Sequence, residues 1–139
     1  MKKKVLFLCT HNACRSQMAE GLLKNLAGGK FEAYSAGVDP TSVHPLARKV
    51  MEEIGIDISG QQSKSVDELL DKEFDYVITV CDNARQTCPF FLGNVERLHW
   101  NLEDPAEVKG TEEKRLQEFR MVRNQLKDYI QELISKIVK

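Results

Sequence analysis

No stretch of this 139-residue chain is a long apolar run. A membrane-crossing helix needs about 18 such residues, so none is expected. The basic opening, Met1 to Lys4, is followed only by the short apolar run Val5–Leu8. That is too short for the core of a secretory signal, and the expected compartment is the cytoplasm. Net charge is also nearly absent, since 20 Lys and Arg stand against 21 Asp and Glu. No global field then draws the chain to nucleic acid or to an anionic membrane. Aromatics make up 7 % of the residues and do not interleave with a basic stripe, which removes the usual nucleic-acid surface. Repeats and low-complexity segments are missing. The three histidines are scattered at 11, 44 and 99. What remains is one domain over residues 1–139, long enough to build a core without disulfide staples, with a monomer as the default.

Cysteine is sparse but pointedly placed, at Cys9, Cys14, Cys81 and Cys88. In a reducing compartment a disulfide among these is catalytic or sensing rather than structural. A zinc site would have to join Cys9-x4-Cys14 to Cys81-x6-Cys88. That spacing is too loose, and the histidines are too dispersed, to recommend it.

The pattern along the chain alternates strand and helix. Lys3–Leu8 and Phe31–Ala36 read as buried strands, Phe74–Val80 as the central strand and Val95–Trp100 as the last. Helices are expected over Arg15–Ala27, with Met18, Ala19, Leu22, Leu23 and Leu26 on one face, and over Pro45–Ile54. Val66–Leu70 reads as a short helix, and Asp82–Thr87 is polar and uncommitted. A final helix begins at Thr111, a good N-cap with Glu112 and Glu113 in its first turn, and its charged face is expected to be solvated. This order predicts an α/β fold: three layers, with a four-stranded parallel sheet flanked by helices. Ligands of such sheets bind beyond the carboxyl ends of the strands. Cys9, Cys81 and Asp104 each follow a strand, so all three are expected at one edge of the sheet.

The segment Cys9–Ser16, "CTHNACRS", lies between a strand and a helix N-terminus. A turn of that length directs backbone N–H groups inward and binds anions. Thr10, His11, Asn12, Ala13, Cys14, Arg15 and Ser16 are the expected oxyanion cradle. Cys9 at its base is expected to be a nucleophile whose thiolate the cradle favours. Arg15 offers a planar fork of donors for a tetrahedral oxyanion, and Ser16 a hydroxyl for the sulfur. Asn12 is suited to a left-handed backbone position. Asp104, in Asp104-Pro105, reads from its neighbours alone as a turn opener.

These residues, with "YSAG" at 34–37, "GIDIS" at 55–59, the pair Cys81 and Cys88, Asp104-Pro105 and "GTEE" at 110–113, resemble the low-molecular-weight phosphatase superfamily. Within it the chain looks most like the thioredoxin-coupled arsenate reductases. The resemblance implies a low-molecular-weight phosphatase-like sheet and a general-acid role for Asp104. It also implies a three-thiol relay. Cys9 attacks arsenate, Cys81 attacks Cys9, Cys88 takes the bridge from Cys81, and thioredoxin reduces Cys81–Cys88. No cofactor is required by that chemistry. Some members bind potassium near the loop, and Asn12, Glu20 and Ser35 match three of the ligand positions; the fourth falls on Lys64. The spacing adds a demand of its own. A helix from Cys81 to Cys88 would hold the Cα atoms roughly 10 Å apart, whereas a disulfide needs about 7 Å or less. Such a helix must unravel during the cycle. The alternatives are a phosphatase using Cys9, Arg15 and Asp104, which Ala106 after Pro105 disfavours for tyrosine substrates, and an oxyanion or redox sensor without turnover.

Overall fold

The computed structural model describes residues 2–91 and 93–138; the terminal positions Met1 and Lys139 of the expected domain lie outside it. Four strands, β1 (Lys3–Cys9), β2 (Phe31–Gly37), β3 (Tyr76–Thr79) and β4 (Glu96–His99), form one sheet in the order β2-β1-β3-β4. Every pairing is parallel, with Leu8 opposite Ala36 on one side and Thr79 on the other. β1 is central, and Val5, Leu6, Phe7 and Leu8 are all fully buried. A strand covered on both faces needs such an unbroken apolar run rather than alternation. Each of these side chains contributes about 1.5–3 kcal/mol by leaving water.

The helices are α1 (Arg15–Ala27), α2 (Pro45–Glu52), α3 (Asp82–Thr87) and α4 (Glu112–Ile137). Two 3₁₀ turns, Val66–Leu69 and Pro105–Glu107, complete the element order. α1, α2 and α4 pack on one another, and Trp100 joins the sheet to α4 by stacking on Tyr129 at 4.9 Å between centroids. Thr111 caps α4 by accepting from Lys114 N.

Several expectations shift. β3 and β4 are shorter than the apolar patterns that marked them, and α2 stops at Glu52, ahead of Gly55 at φ +77°. The uncommitted segment 82–87 is helical, because the Cys81 sulfur caps it by accepting from Ala84 N. Leu26 is exposed, while the first turns of α1 are buried all round, Gln17 and Glu20 included. The face of α4 is not wholly solvated: Arg123 is buried and donates to Val50 O at 2.8 Å and Glu53 at 2.9 Å. Arg120 grips the same Glu53, whose carboxyl is held below its usual range by that hydrogen bond first.

Candidate active site

The loop Cys9–Ser16 joins β1 to α1, and its carbonyls are tied outward one after another. Val38 N, Asp39 N, Thr41 N and His44 N donate to the carbonyls of Cys9, Thr10, His11 and Ala13 at 2.8–3.2 Å. Gln17 Nε2 donates to Asn12 O at 3.0 Å. With the carbonyls facing out, the loop amides turn in, and Asn12 N reaches the Cys9 sulfur at 3.2 Å. Asn12 takes φ +51°, the left-handed position its side chain tolerates. Gly37, at the end of β2, passes so close that a Cβ there would sit 2.7 Å from Thr10 O and 2.9 Å from Asn12 N.

A chain of side-chain bonds aims a donor at the sulfur. Lys64 N donates to Asn12 Oδ1 at 3.0 Å, which fixes the amide. Asn12 Nδ2 then donates to Ser16 Oγ at 2.7 Å. That leaves the Ser16 hydroxyl proton for the Cys9 sulfur, 2.8 Å away. Burial nevertheless pushes the Cys9 thiol up from its ordinary range. The Ser16 hydroxyl, the Arg15 guanidinium and the amides of Ser16 and Asn12 pull it back only in part. The expected preference for thiolate is thereby corrected: desolvation outweighs the cradle. Cys14 lines the same cavity and is pushed up as well, by burial first and then by the Asp104 carboxylate and Cys9.

The cavity over Cys9 measures about 190 Å³ and is walled by His11, Arg15, His44, Asp104 and Ala106 among others. Arg15 Nη1 donates to Leu102 O at 3.0 Å, and its Nη2 lies 3.6 Å from Asp104 Oδ2. Asp104 accepts from Ala106 N through Oδ1, so the turn-opening and the site-facing readings of this residue are both realised. His44 caps α2 by accepting from Leu46 N at Nδ1, and burial keeps its imidazole toward the neutral form. The only rings on the cavity wall are the two imidazoles, among the described residues.

Cys81 is buried at the end of β3 and lies 3.3 Å from Thr10 Oγ1, a cradle residue that also accepts from Asn83 Nδ2. The structure thus brings Cys81 to the cradle. It does not bring Cys88 to Cys81, since α3 stands between them and all four thiols are free. The positions matched to a potassium site are occupied with one another. Ser35 Oγ donates to Glu20, Lys24 pairs with Glu20, and Lys64 Nζ donates to Ser35 O and Gln62 O at 3.0 Å. Sequence reasoning missed Gln17, which braces the loop, and Arg97, whose Nη1 lies 3.0 Å from the Cys88 sulfur.

A family model described as low molecular weight phosphotyrosine protein phosphatase matches residues 4–139. An arsenate reductase of Halalkalibacterium halodurans is 47% identical over 125 residues, 90% of each chain. A solved arsenate reductase in its oxidised state superposes with TM-score 0.84 at 40% identity, over 97% of this chain and 98% of that one. A thioredoxin-dependent arsenate reductase of Corynebacterium glutamicum superposes with TM-score 0.67 at 34% identity, over 94% of this chain and 62% of that one.

Proposed function

The chain belongs to the low molecular weight phosphotyrosine protein phosphatase family, and from that premise we propose that it is an arsenate reductase running a three-thiol relay. The observation that carries this reading is the placement of the thiols. One lies at the base of an anion cradle, the second touches that cradle through Thr10, and the third ends the short helix that the second begins. Phosphate ester hydrolysis has no use for the last two.

Arg15 and the inward amides hold the oxyanion. The Cys9 sulfur bonds to arsenic while its proton passes to an arsenate oxygen, and the Ser16 hydroxyl goes on donating to the sulfur. Another oxygen departs as water with the proton that Asp104 delivers. The Cys81 thiolate then attacks the Cys9 sulfur, and the S–As electron pair stays with arsenic. Arsenic(V) becomes arsenic(III), arsenite leaves, and two thiols have become the Cys9–Cys81 disulfide. The Cys88 thiolate attacks Cys81 and expels Cys9. The remaining Cys81–Cys88 bridge is reduced by a dithiol reductant, for which thioredoxin is the candidate, supported by the thioredoxin-dependent relative. The helix α3 occupies the span that the bridge must close, so it unravels in that step.

The same reading requires no cofactor. The residues around Glu20 do not fit a potassium ion, because the Lys64 ammonium already takes the Ser35 and Gln62 carbonyls. No described helix is long and apolar enough to cross a membrane. A monomer acting in the reducing cytoplasm is the setting that suits four free thiols.

Mass spectrometry of the disulfides after one equivalent of arsenate tests the relay. The expected product is a Cys81–Cys88 bridge, with thioredoxin-dependent NADPH consumption on further arsenate. Cys88→Ser is expected to release one arsenite per chain, trap Cys9–Cys81 and stop. Undiminished multiple turnover in that variant overturns the order. Hydrolysis of an aryl phosphate that survives Cys81→Ser, with no arsenite formed by the unaltered protein, points to the phosphatase instead.

A further inference from the structure

The last nucleophile of the relay lies outside the cradle, so the groups that activate Cys9 are not available to it. Its sulfur has its own partner. Arg97 Nη1 approaches Cys88 Sγ at 3.0 Å, and Nη2 of the same fork donates to Pro89 O at 3.3 Å. The guanidinium also stands 5.8 Å from the centroid of Phe91, whose ring is buried. Three contacts to residues 88–91 therefore set where this cation lies. Its backbone is fixed from the other side, since Arg97 pairs with Val77 in the β3–β4 register.

Arginine has only donors, so in this pair the sulfur must accept. A neutral thiol is a weak acceptor and a thiolate a strong one, so the contact tightens as the sulfur gathers negative charge in its attack on Cys81. Cys88 Sγ in turn donates to Pro89 O at 3.6 Å, the carbonyl that Arg97 Nη2 shares, so sulfur, carbonyl and guanidinium form one linked group. The cavity beside Cys88 measures about 290 Å³, and its charged or titratable lining besides Cys88 and Arg97 is Arg85 of α3 and His99 of β4. No carboxylate lines it among the described residues. Asp82 faces His99 Nε2 at 3.2 Å, without hydrogen-bond geometry.

We propose that Arg97 is a positioning residue for the final thiol transfer: its guanidinium, anchored on β4, donates to the Cys88 sulfur and holds it in place until α3 unravels. The proposal rests on the relay reading, because Cys88 has a task only there. In the transfer the Cys88 thiolate forms the bond to Cys81 Sγ and the Cys9–Cys81 bond breaks. Cys9 leaves with the electron pair, received by the Ser16 hydroxyl and the Asn12 amide. Nothing is oxidised or reduced overall. Arg97 belongs to the sheet and stays behind, so the cation is not carried toward the new disulfide.

Iodoacetamide labelling of the reduced full-length protein, read at the Cys88 peptide by mass spectrometry from pH 5.5 to 9.5, is the test. Arg97→Gln is expected to slow labelling of Cys88 about tenfold at pH 7. Arg97→Lys keeps the charge and is expected to recover most of the rate. In arsenate turnover Arg97→Gln should lower kcat and leave the KM for arsenate unchanged. Superimposable labelling profiles for the unaltered protein and Arg97→Gln overturn the proposal. So does Arg97→Lys behaving like Arg97→Gln, which would mark a packing role. Labelling involves no arsenate, so the two readings fail separately. Labelling slowed by Arg97→Gln in a protein that reduces no arsenate supports the Arg97–Cys88 pairing and sinks the arsenate reading.

Discussion

Cys9–Ser16 and Cys81–Cys88 are each eight residues long, and each carries two cysteines. In the first, the backbone carbonyls are tied to residues 38–44, a side-chain chain from Lys64 to Ser16 aims at the sulfur, and Cys9 and Cys14 are buried. In the second, a six-residue helix is held at its start by a sulfur cap and a Thr10–Asn83 bond. Most of its residues are exposed, and Cys88 is half-buried. The contrast suits the chemistry that the proposed relay asks of each segment. Charge stabilisation in a transition state needs donors that do not have to reorganise. Passing a disulfide from Cys81 to Cys88 needs a segment that gives up its structure at little cost, and short exposed helices are drawn from that end of the stability range. On the proposed relay, fixed geometry is built where the oxyanion would bind, and marginal structure is kept where the thiols would travel.

The largest effect that tests this contrast comes from Arg15. Arg15→Lys keeps the charge but loses the planar fork that spans the Leu102 carbonyl and the site. Loss of one preorganised oxyanion donor typically costs about 10²–10³ in kcat. Steady-state kinetics of arsenate reduction should show a fall of that order. Arg85→Lys, on the exposed helix, should stay within about twofold on the same physical ground. Equal losses at both positions would erase the distinction between a rigid and a loose segment.

Gly37 gives the next effect. Gly37→Ala puts a methyl 2.7 Å from Thr10 O and 2.9 Å from Asn12 N, both backbone atoms that cannot swing aside. Overpacking of this kind costs about 1–3 kcal/mol. Urea unfolding should show it, together with slower labelling or turnover at Cys9 as the loop shifts. Gly60→Ala meets no atom within 4 Å and serves as the matched control. If Gly37→Ala is as benign as Gly60→Ala, the cradle is softer than its contacts imply.

How much of this was legible in the residues depends on the range of the interaction. β1, α1 and the cap of α4 are local signals, and they stand where the pattern put them. Cys9, Arg15 and Asp104 converge because parallel strands end at one edge, which strand counting alone predicts. The left-handed turn at Asn12 follows from its side chain. The helix α3 was not legible, because its cap is a sulfur rather than the oxygen that marks an N-terminus. The outward tying of the loop carbonyls was not legible either. It depends on backbone amides about thirty residues away, and an amide carries no residue identity. Gln17 and Arg97 escaped for the related reason that each acts through an atom remote in sequence or on an unremarkable partner. The direction of the Cys9 shift depended on depth of burial, which one loop's residues do not report.

That direction supplies the smallest effect and the most direct reading of how dry the cradle is. Burial raises the folded-state pKa of Cys14, with Asp104 and Cys9 adding to it, and burial likewise raises Cys9. In the unfolded chain both titrate near the free-thiol value of about 8.5. Above that pH the unfolded chain loses protons that the folded chain keeps. The unfolded state then binds fewer protons, and stability falls as pH rises. Below the unfolded value the contribution is present in full. Urea unfolding at pH 7.5 and 9.5 should therefore show a loss of about 1 kcal/mol or more at the higher pH. Cys14→Ala is expected to be less stable at pH 7.5, from the small cavity, yet to lose less between the two pH values. A pH slope identical in Cys14→Ala and the unaltered protein would mean that water reaches Cys14 in the folded state. The first loop would then be closer in character to the second than its geometry indicates.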